Sequence, residues 1–214
     1  MAKIVVIGGH GKVARRLSPL LRSSGHEVTA WVRNPDHTAE VEATGATALV
    51  ADAEHLGVEE MAAHLRGHDV VVWSAGAGGG SPARTYAVDR DAAIRSMAAA
   101  EAAGTRRYVM VSYFYSHPDH GVPQDSPFFP YADAKAAADD HLRATGLDWT
   151  ILGPSSLTDE PGTGRIETGQ GTTPRTVSRD DVAAVAAYVL DHPSTTGRTM
   201  EFNNGDTPIA EAIG

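Results

Sequence analysis

With 214 residues, 42% of them hydrophobic, the chain is long enough to fill one core and short for two, so a single domain over residues 1–214 is expected. Its formal charge of −9 disfavours nucleic acid and anionic membranes as partners, since both reward a basic surface. The absence of cysteine excludes disulfides, a thiol nucleophile and thiolate-bound metal, and with no signal-like or membrane-spanning apolar run the expected address is the cytoplasm.

Residues 3–8 read as a first strand, because consecutive Ile and Val suit a parallel strand buried on both faces. The strand breaks into Gly8-Gly9-His10-Gly11-Lys12-Val13-Ala14, and a helix from Lys12 to Ser24 follows at once. Gly9-x-Gly11-x-x-Ala14 fits the dinucleotide fingerprint, and Gly8-x-x-Gly11-x-x-Ala14 fits a wider spacing of the same kind. Glycine lets the backbone bend sharply and approach a pyrophosphate, while the helix N-terminus offers free N–H groups to the phosphates. A second strand runs from Glu27 to Val32, a short helix starts at Asn34-Pro35, and a third strand fits Ala46 to Ala51. A helix holding Met61, Ala62 and Leu65 leads to a fourth strand, Asp69 to Ser74. Ser81-Pro82 then caps a long Ala-rich helix ending near Gly104. Arg107 to Ser112 reads as the fifth strand, Tyr131 to Thr145 as the next helix and Asp148 to Leu152 as the sixth strand. This alternation predicts an α/β fold: a doubly wound parallel sheet whose ligand site lies beyond the carboxyl ends of the strands.

The last quarter changes character. Gly153 to Pro174 is rich in Gly, Pro, Ser and Thr and reads as loops over the sheet edge, with a short strand at Arg165-Ile166-Glu167. Ser178-Arg179-Asp180-Asp181 opens a capped helix, Thr199 to Asn203 reads as a final strand and Pro208 to Ile213 as a terminal helix. Residues 153–177 and 195–214 are therefore expected to form a small substrate-side extension.

Two further positions carry chemistry. Arg33 ends the second strand about 20 residues beyond the glycines, where an NAD site favours Asp or Glu; a guanidinium there pairs with a 2′-phosphate instead. NADP(H) is thus the expected cofactor and NAD(H) the alternative, with Lys12 either adding charge at the same phosphate or solvated. Tyr131 and Lys135 stand four apart on one helix face and can meet one ligand. Tyr131 is the expected general acid, Lys135 the cation that assists its phenol, and Ser112 the hydroxyl that orients a carbonyl oxygen.

The glycine turn, Arg33-Asn34-Pro35, Ala51-Asp52, Val88-Asp89, Arg107 to Ser112, Tyr131/Lys135, Asp148 to Leu152 and Ser178 to Ala183 occur in the order seen in atypical short-chain dehydrogenase/reductases. The chain resembles their NAD(P)H-binding subgroup similar to NmrA-like proteins and biliverdin reductase B. The resemblance implies a Rossmann-like fold with Gly8 to Val13 at the cofactor. It further implies Asp52 and Ala53 near the adenine, Ser74, Ala75 and Gly76 near the ribose and pyrophosphate, Pro154 and Ser155 near the nicotinamide, and Lys135 on the nicotinamide ribose. The chain departs from the pattern at Ala14 in place of the third glycine, at Gly153 where many relatives carry Arg, and at Trp73-Ser74-Ala75-Gly76, which lacks the Asn of enzymatic relatives.

His117-Pro118-Asp119-His120 has no evident third metal ligand, so it reads as a polar loop and no metal is expected. Phe128-Phe129-Pro130 either walls the nicotinamide or packs the helix start. The Ala-rich helices admit a homodimer, and covering the sheet explains them equally. The expected activity is NADPH-dependent hydride transfer to a small carbonyl, quinone or flavin-like substrate. The alternatives are a non-catalytic NADP(H) redox sensor and a nucleotide-sugar epimerase, the latter disfavoured by the short C-terminal portion.

Overall fold

Strand β1 (Lys3–Ile7) is buried on both faces: Ile4 and Val6 join one hydrophobic cluster, and Val5 and Ile7 join the other. That two-sided burial is the mark of an interior parallel strand and fixes a helix layer on each side. The structure, a computed structural model, describes residues 1–214 except Gly80 and Gln170.

After β1 come α1 (Ala14–Ser23), β2 (Glu27–Val32), α2 (Thr38–Glu42), β3 (Thr47–Val50), α3 (Val58–Leu65) and β4 (Val70–Trp73). A helical stretch follows as α4 (Pro82–Thr85), a π-helical segment at Tyr86–Ala92 and α5 (Ala93–Ala103), then β5 (Arg107–Val111), α6 (Phe129–Ala144) and β6 (Asp148–Pro154). The C-terminal part adds β7 (Ser156–Thr158), β8 (Arg165–Thr168), β9 (Thr176–Ser178), α7 (Arg179–Asp191), β10 (Arg198–Asn204), β11 (Thr207–Pro208) and α8 (Ile209–Ile213).

The sheet order is β3-β2-β1-β4-β5-β6-β10-β8-β11, parallel from β3 through β10, with β8 antiparallel to both of its neighbours, β10 and the edge strand β11. Its first six strands follow the dinucleotide-binding order, which places the topological switch point between β1 and β4. Leu17 and Leu21 of α1 pack with Val182, Val185 and Val189 of α7 on one face. Met61 of α3, Met97 of α5 and Leu142 of α6 cover the other.

The expected alternation is present, with three differences in detail. The long helix expected from Ser81 to Gly104 is interrupted by the π-helical turn, which carries Asp89 inward until it is 2% exposed and accepts the Ala77 N–H at 2.9 Å. β6 extends through Gly153 to Pro154, because β10 pairs with it in parallel over Thr150 to Pro154. Residues expected as loops instead contribute a second parallel pair, β7 with β9, whose three-residue strands are too short for sequence alternation to declare them.

The glycine turn is set by contact as much as by conformation. Gly8 has φ +88°, and a Cβ there would lie 2.6 Å from the Ala75 backbone. A Cβ on Gly9 would lie 2.6 Å from Ala30 Cβ in β2. Gly9→Ala should therefore cost about 1–3 kcal/mol through overpacking, and Ala30→Gly in that background should recover part of the loss. Denaturant unfolding of the two variants measures both effects.

Candidate functional site

The carboxyl ends of β1 to β6 open onto three adjoining cavities of about 310, 500 and 400 Å³. The first and second share Gly11 and residues Ser74 to Gly78, and the second and third share Ser112, Tyr131 and Leu157. Together they form one trough across the switch point.

Gly8, His10, Arg33, Asp52 and Ala53 line the first cavity. Arg33 follows β2 directly, with its side chain 56% exposed and 4.0 Å from the Glu54 carboxylate. Glu54 also accepts from Arg84 Nε at 3.2 Å. His10 stacks on His37 at 3.6 Å between ring centroids, and its Nε2 lies 3.1 Å from Glu40. Asp52 is satisfied locally by the Glu54 N–H at 3.1 Å and by His55 at 3.0 Å.

Gly11, Lys12, Val13, Ser74, Ala75 and Gly76 border the second cavity. Gly9 supports the turn from behind, donating its N–H to the Trp31 carbonyl at 2.8 Å. Lys12 does not join Arg33: the two side chains face different cavities. Lys12 Nζ instead meets Asp159 at 2.7 Å, a carboxylate that also draws Arg179 at 3.1 Å and Arg16 at 3.4 Å. Arg179, treated as part of a helix start in the sequence, lines this cavity as a second cation.

The inner wall is built by α6 against the end of β5. Lys135 is 1% exposed and donates to the Val111 carbonyl at 3.0 Å. Its ammonium acts on two buried carboxyls, Asp89 from the π-helical turn and Asp139 one helical turn further along α6. Burial pushes both carboxyls above the usual range, and Lys135 opposes that shift in each. Asp139 also accepts at one oxygen, Oδ2, from Ser112 Oγ and Ser116 Oγ, each at 2.5 Å.

These contacts revise the expected division of labour. Burial, with Asp89, Asp139 and Tyr113 adding to it, pushes the Tyr131 phenol above its ordinary value. Lys135, turned to the Val111 carbonyl, is not among the groups that offset this. Ser112 borders both the second and third cavities, yet its hydroxyl is engaged by Asp139. Pro154 and Ser155 line the third cavity and not the second: β6 continues to this point, and Ser155 Oγ donates to Asn203 at 2.5 Å.

The third cavity is walled by Tyr113, Phe114, Tyr115, Phe128 and Tyr131, with His120 at its rim. Phe128 packs 5.5 Å from the Tyr113 ring and 5.3 Å from Tyr131, whereas Phe129 packs on His120. Burial raises the Tyr113 phenol to about 12, and its hydroxyl is buried without a hydrogen-bond partner. Tyr115 holds a left-handed φ of +67°, stabilised by its N–H donating to Glu201 at 2.9 Å. At Gly153 a Cβ would crowd Glu201 Cγ at 3.1 Å and the Tyr113 carbonyl at 3.2 Å, so the arginine of the family pattern would require these neighbours to shift. No helix among the described residues is long and apolar enough to cross a membrane.

Sequence reading missed Asp139, Asp89, Ser116, Tyr113 and Arg179 as site residues. Asp139 had a usable signal: it continues the Tyr131–Lys135 spacing by four more residues on the same helical face. Lys135→Met removes the cation that opposes the upward shift of both buried carboxyls and leaves the Val111 carbonyl without its donor, so it should destabilise the protein by about 1–3 kcal/mol. Asp139→Asn in that background should recover part of it, as read from denaturant midpoints.

A family model described as NAD(P)H-binding matches residues 8–193. A Bacillus subtilis protein designated an uncharacterized sugar epimerase, YhfK, is 38% identical over 213 residues, covering 99% of this chain and 98% of its own. A solved structure from Bacillus halodurans with an NAD-dependent epimerase/dehydratase designation superposes with a TM-score of 0.91 at 35% identity, covering 100% of this chain and 99% of that one. The oxidoreductase ylbE from Lactococcus lactis superposes with a TM-score of 0.86 at 28% identity, over 99% and 94% of the two chains.

Proposed function

Because the chain belongs to the NAD(P)H-binding family, we propose that it is an NADPH-dependent oxidoreductase acting on a small, flat conjugated carbonyl, quinone or flavin-like acceptor. The observation that carries the reading is the shared wall between the second and third cavities. Ser112 and Tyr131 border both, so a group held against Lys135 and one held among the aromatics meet there.

The residues present fit a dinucleotide. Gly8 is pressed so closely against Ala75, and Gly9 against Ala30, that a Cβ is excluded at both positions, which lets a phosphate approach the backbone of the turn. Lys12 and Arg179 supply cations beside that turn, and Arg33, His37 and Arg84 gather at the ribose end. Glu54 is the anion Arg33 now faces, and a 2′-phosphate would take its place. When bound, the nicotinamide supplies the hydride. The protein's part is to orient the acceptor among Tyr113, Phe128 and Tyr131 and to present hydroxyls at its oxygen.

Among its described lining residues the third cavity has no lysine, arginine or carboxylate. A nucleotide sugar would bring a diphosphate that needs such cations, so the lining favours an uncharged planar acceptor over an epimerase substrate. A redox sensor without turnover is the second reading, favoured by a Tyr131 phenol that burial and two nearby carboxyls hold above its ordinary value.

Calorimetric titration with NADPH and NADH, followed by acceptor-dependent loss of reduced-nicotinamide absorbance with quinones, flavins and aldehydes, tests both readings. NADPH-selective binding with turnover supports the enzyme, and binding with no turnover on any acceptor supports the sensor. Arg33→Asp should weaken NADPH about ten- to a hundredfold with little effect on NADH. Equal loss for both would overturn the 2′-phosphate assignment.

A further inference from the structure

Among the described residues, Asp139 is the carboxyl that touches a hydroxyl on the wall between the two inner cavities. It is fully buried, and its Oδ1 has no hydrogen-bond partner. Its Oδ2 is shared by Ser112 from the end of β5 and Ser116 from the loop beyond it.

The two serines make the protonation state of Asp139 legible at the cavity. A carboxylate only accepts, so an ionised Asp139 draws both serine hydrogens to itself, and Ser112 then shows the cavity only lone pairs. A protonated Asp139 donates to Ser112 Oγ, which frees the serine hydrogen to point at a substrate oxygen. Reduction of a carbonyl needs a donor at that oxygen, where negative charge develops.

We infer that Asp139 is a positioning acid that acts through Ser112, setting the serine to donate and refilling its proton during reduction. The inference rests on the reductase reading above. A bound reduced nicotinamide would supply the hydride, with its electron pair, that adds to the acceptor carbon as the carbonyl π bond breaks. The acceptor oxygen takes the Ser112 hydrogen, and Ser112 takes the Asp139 hydrogen. Asp139 is left as a carboxylate beside the Lys135 ammonium. A solvent proton restores the acid between turnovers, and Ser116 meets the same oxygen from the loop side.

The surroundings balance the group between its two states. Burial and the unpartnered Oδ1 favour the acid. Lys135 and Arg143 from α6, with the two serine hydroxyls, favour the carboxylate. Tyr108 from β5, Tyr113 from the segment after it and Tyr131 from α6 also face Asp139, all with phenols held neutral by burial, while Asp89 competes for Lys135. Because the acid is the active form, reduction should fall tenfold per pH unit once pH rises past the Asp139 titration.

The first test needs no acceptor. In protein labelled with ¹³C at the Asp carboxyls, one resonance absent from Asp139→Asn should titrate above the ordinary carboxylate range. Ser116→Ala, which removes one donor to the carboxylate, should move that titration up by about one unit. If the resonance titrates in the ordinary range, or Ser116→Ala leaves it in place, the inference is overturned while the reductase reading stands. Failure of NADPH to bind in calorimetry would instead remove the reductase reading. With an acceptor in hand, single-turnover reduction should show the falling limb in wild type, the same limb displaced upward in Ser116→Ala, and a slow, flat profile in Asp139→Asn. A wild-type limb persisting in Asp139→Asn would also overturn it.

Discussion

A lysine ammonium sealed from solvent organises this molecule. Lys135 is 1% exposed, and the hydrogen bond it donates to the Val111 carbonyl ties α6 to the last residue of β5. An isolated buried ammonium is strongly unfavourable, so the fold must bring opposite charge to it. Asp139 on the same helix and Asp89 on the π-helical turn are the buried carboxyls on which its charge acts. Asp89 in turn accepts the Ala77 N–H and so anchors the glycine-rich segment after β4. One charge requirement thereby joins a strand end, two helices and the loop that forms the floor of two cavities.

The charge distribution along the trough follows the same logic. The first and second cavities carry arginines, lysine and histidines, while the third is aromatic with no formally charged lining residue described. Cations at the outer positions are held in surface pairs with Glu54 and Asp159, contacts that exchange readily because they are exposed and weak. The carboxyls at the inner wall are buried and cannot exchange partners so easily. The trough is therefore adaptable where anions would enter and rigid where geometry matters to a reacting atom.

Much of this architecture was legible in the sequence, for identifiable reasons. Ile4 to Ile7 and Val70 to Trp73 are apolar runs that only a strand buried on both sides explains, and Ser81-Pro82 and Ser178 mark helix starts by capping chemistry. Gly8 and Gly9 announced the turn because a Cβ at either would lie 2.6 Å from a neighbour. The π-helical turn was hidden, since Tyr86 to Ala92 has the composition of an ordinary helix and the Asp89 contact with Ala77 is made across the fold. The β7–β9 pair was hidden because three-residue strands have no period to read. At the inner wall, spacing drew attention to Tyr131 and Lys135 and a strand end to Ser112, and all three border the second cavity, but the partners Asp139 and Val111 leave no mark on local spacing.

The wide turn in the long helix also has a bearing on how its two ends are oriented. Each residue of an α-helix advances the rotational phase by about 100°, so an extra residue accommodated in a wider turn rotates everything downstream by roughly that amount. Here the turn lets Thr85 and Asp89 face the ligand cavity while Met97 and Ala100, further along the same rod, face the hydrophobic layer beside α3. A straight helix would have to compromise between these two azimuths. The local defect decouples them, so sequence change in α5 can repack the core without re-aiming the carboxyl that braces Lys135.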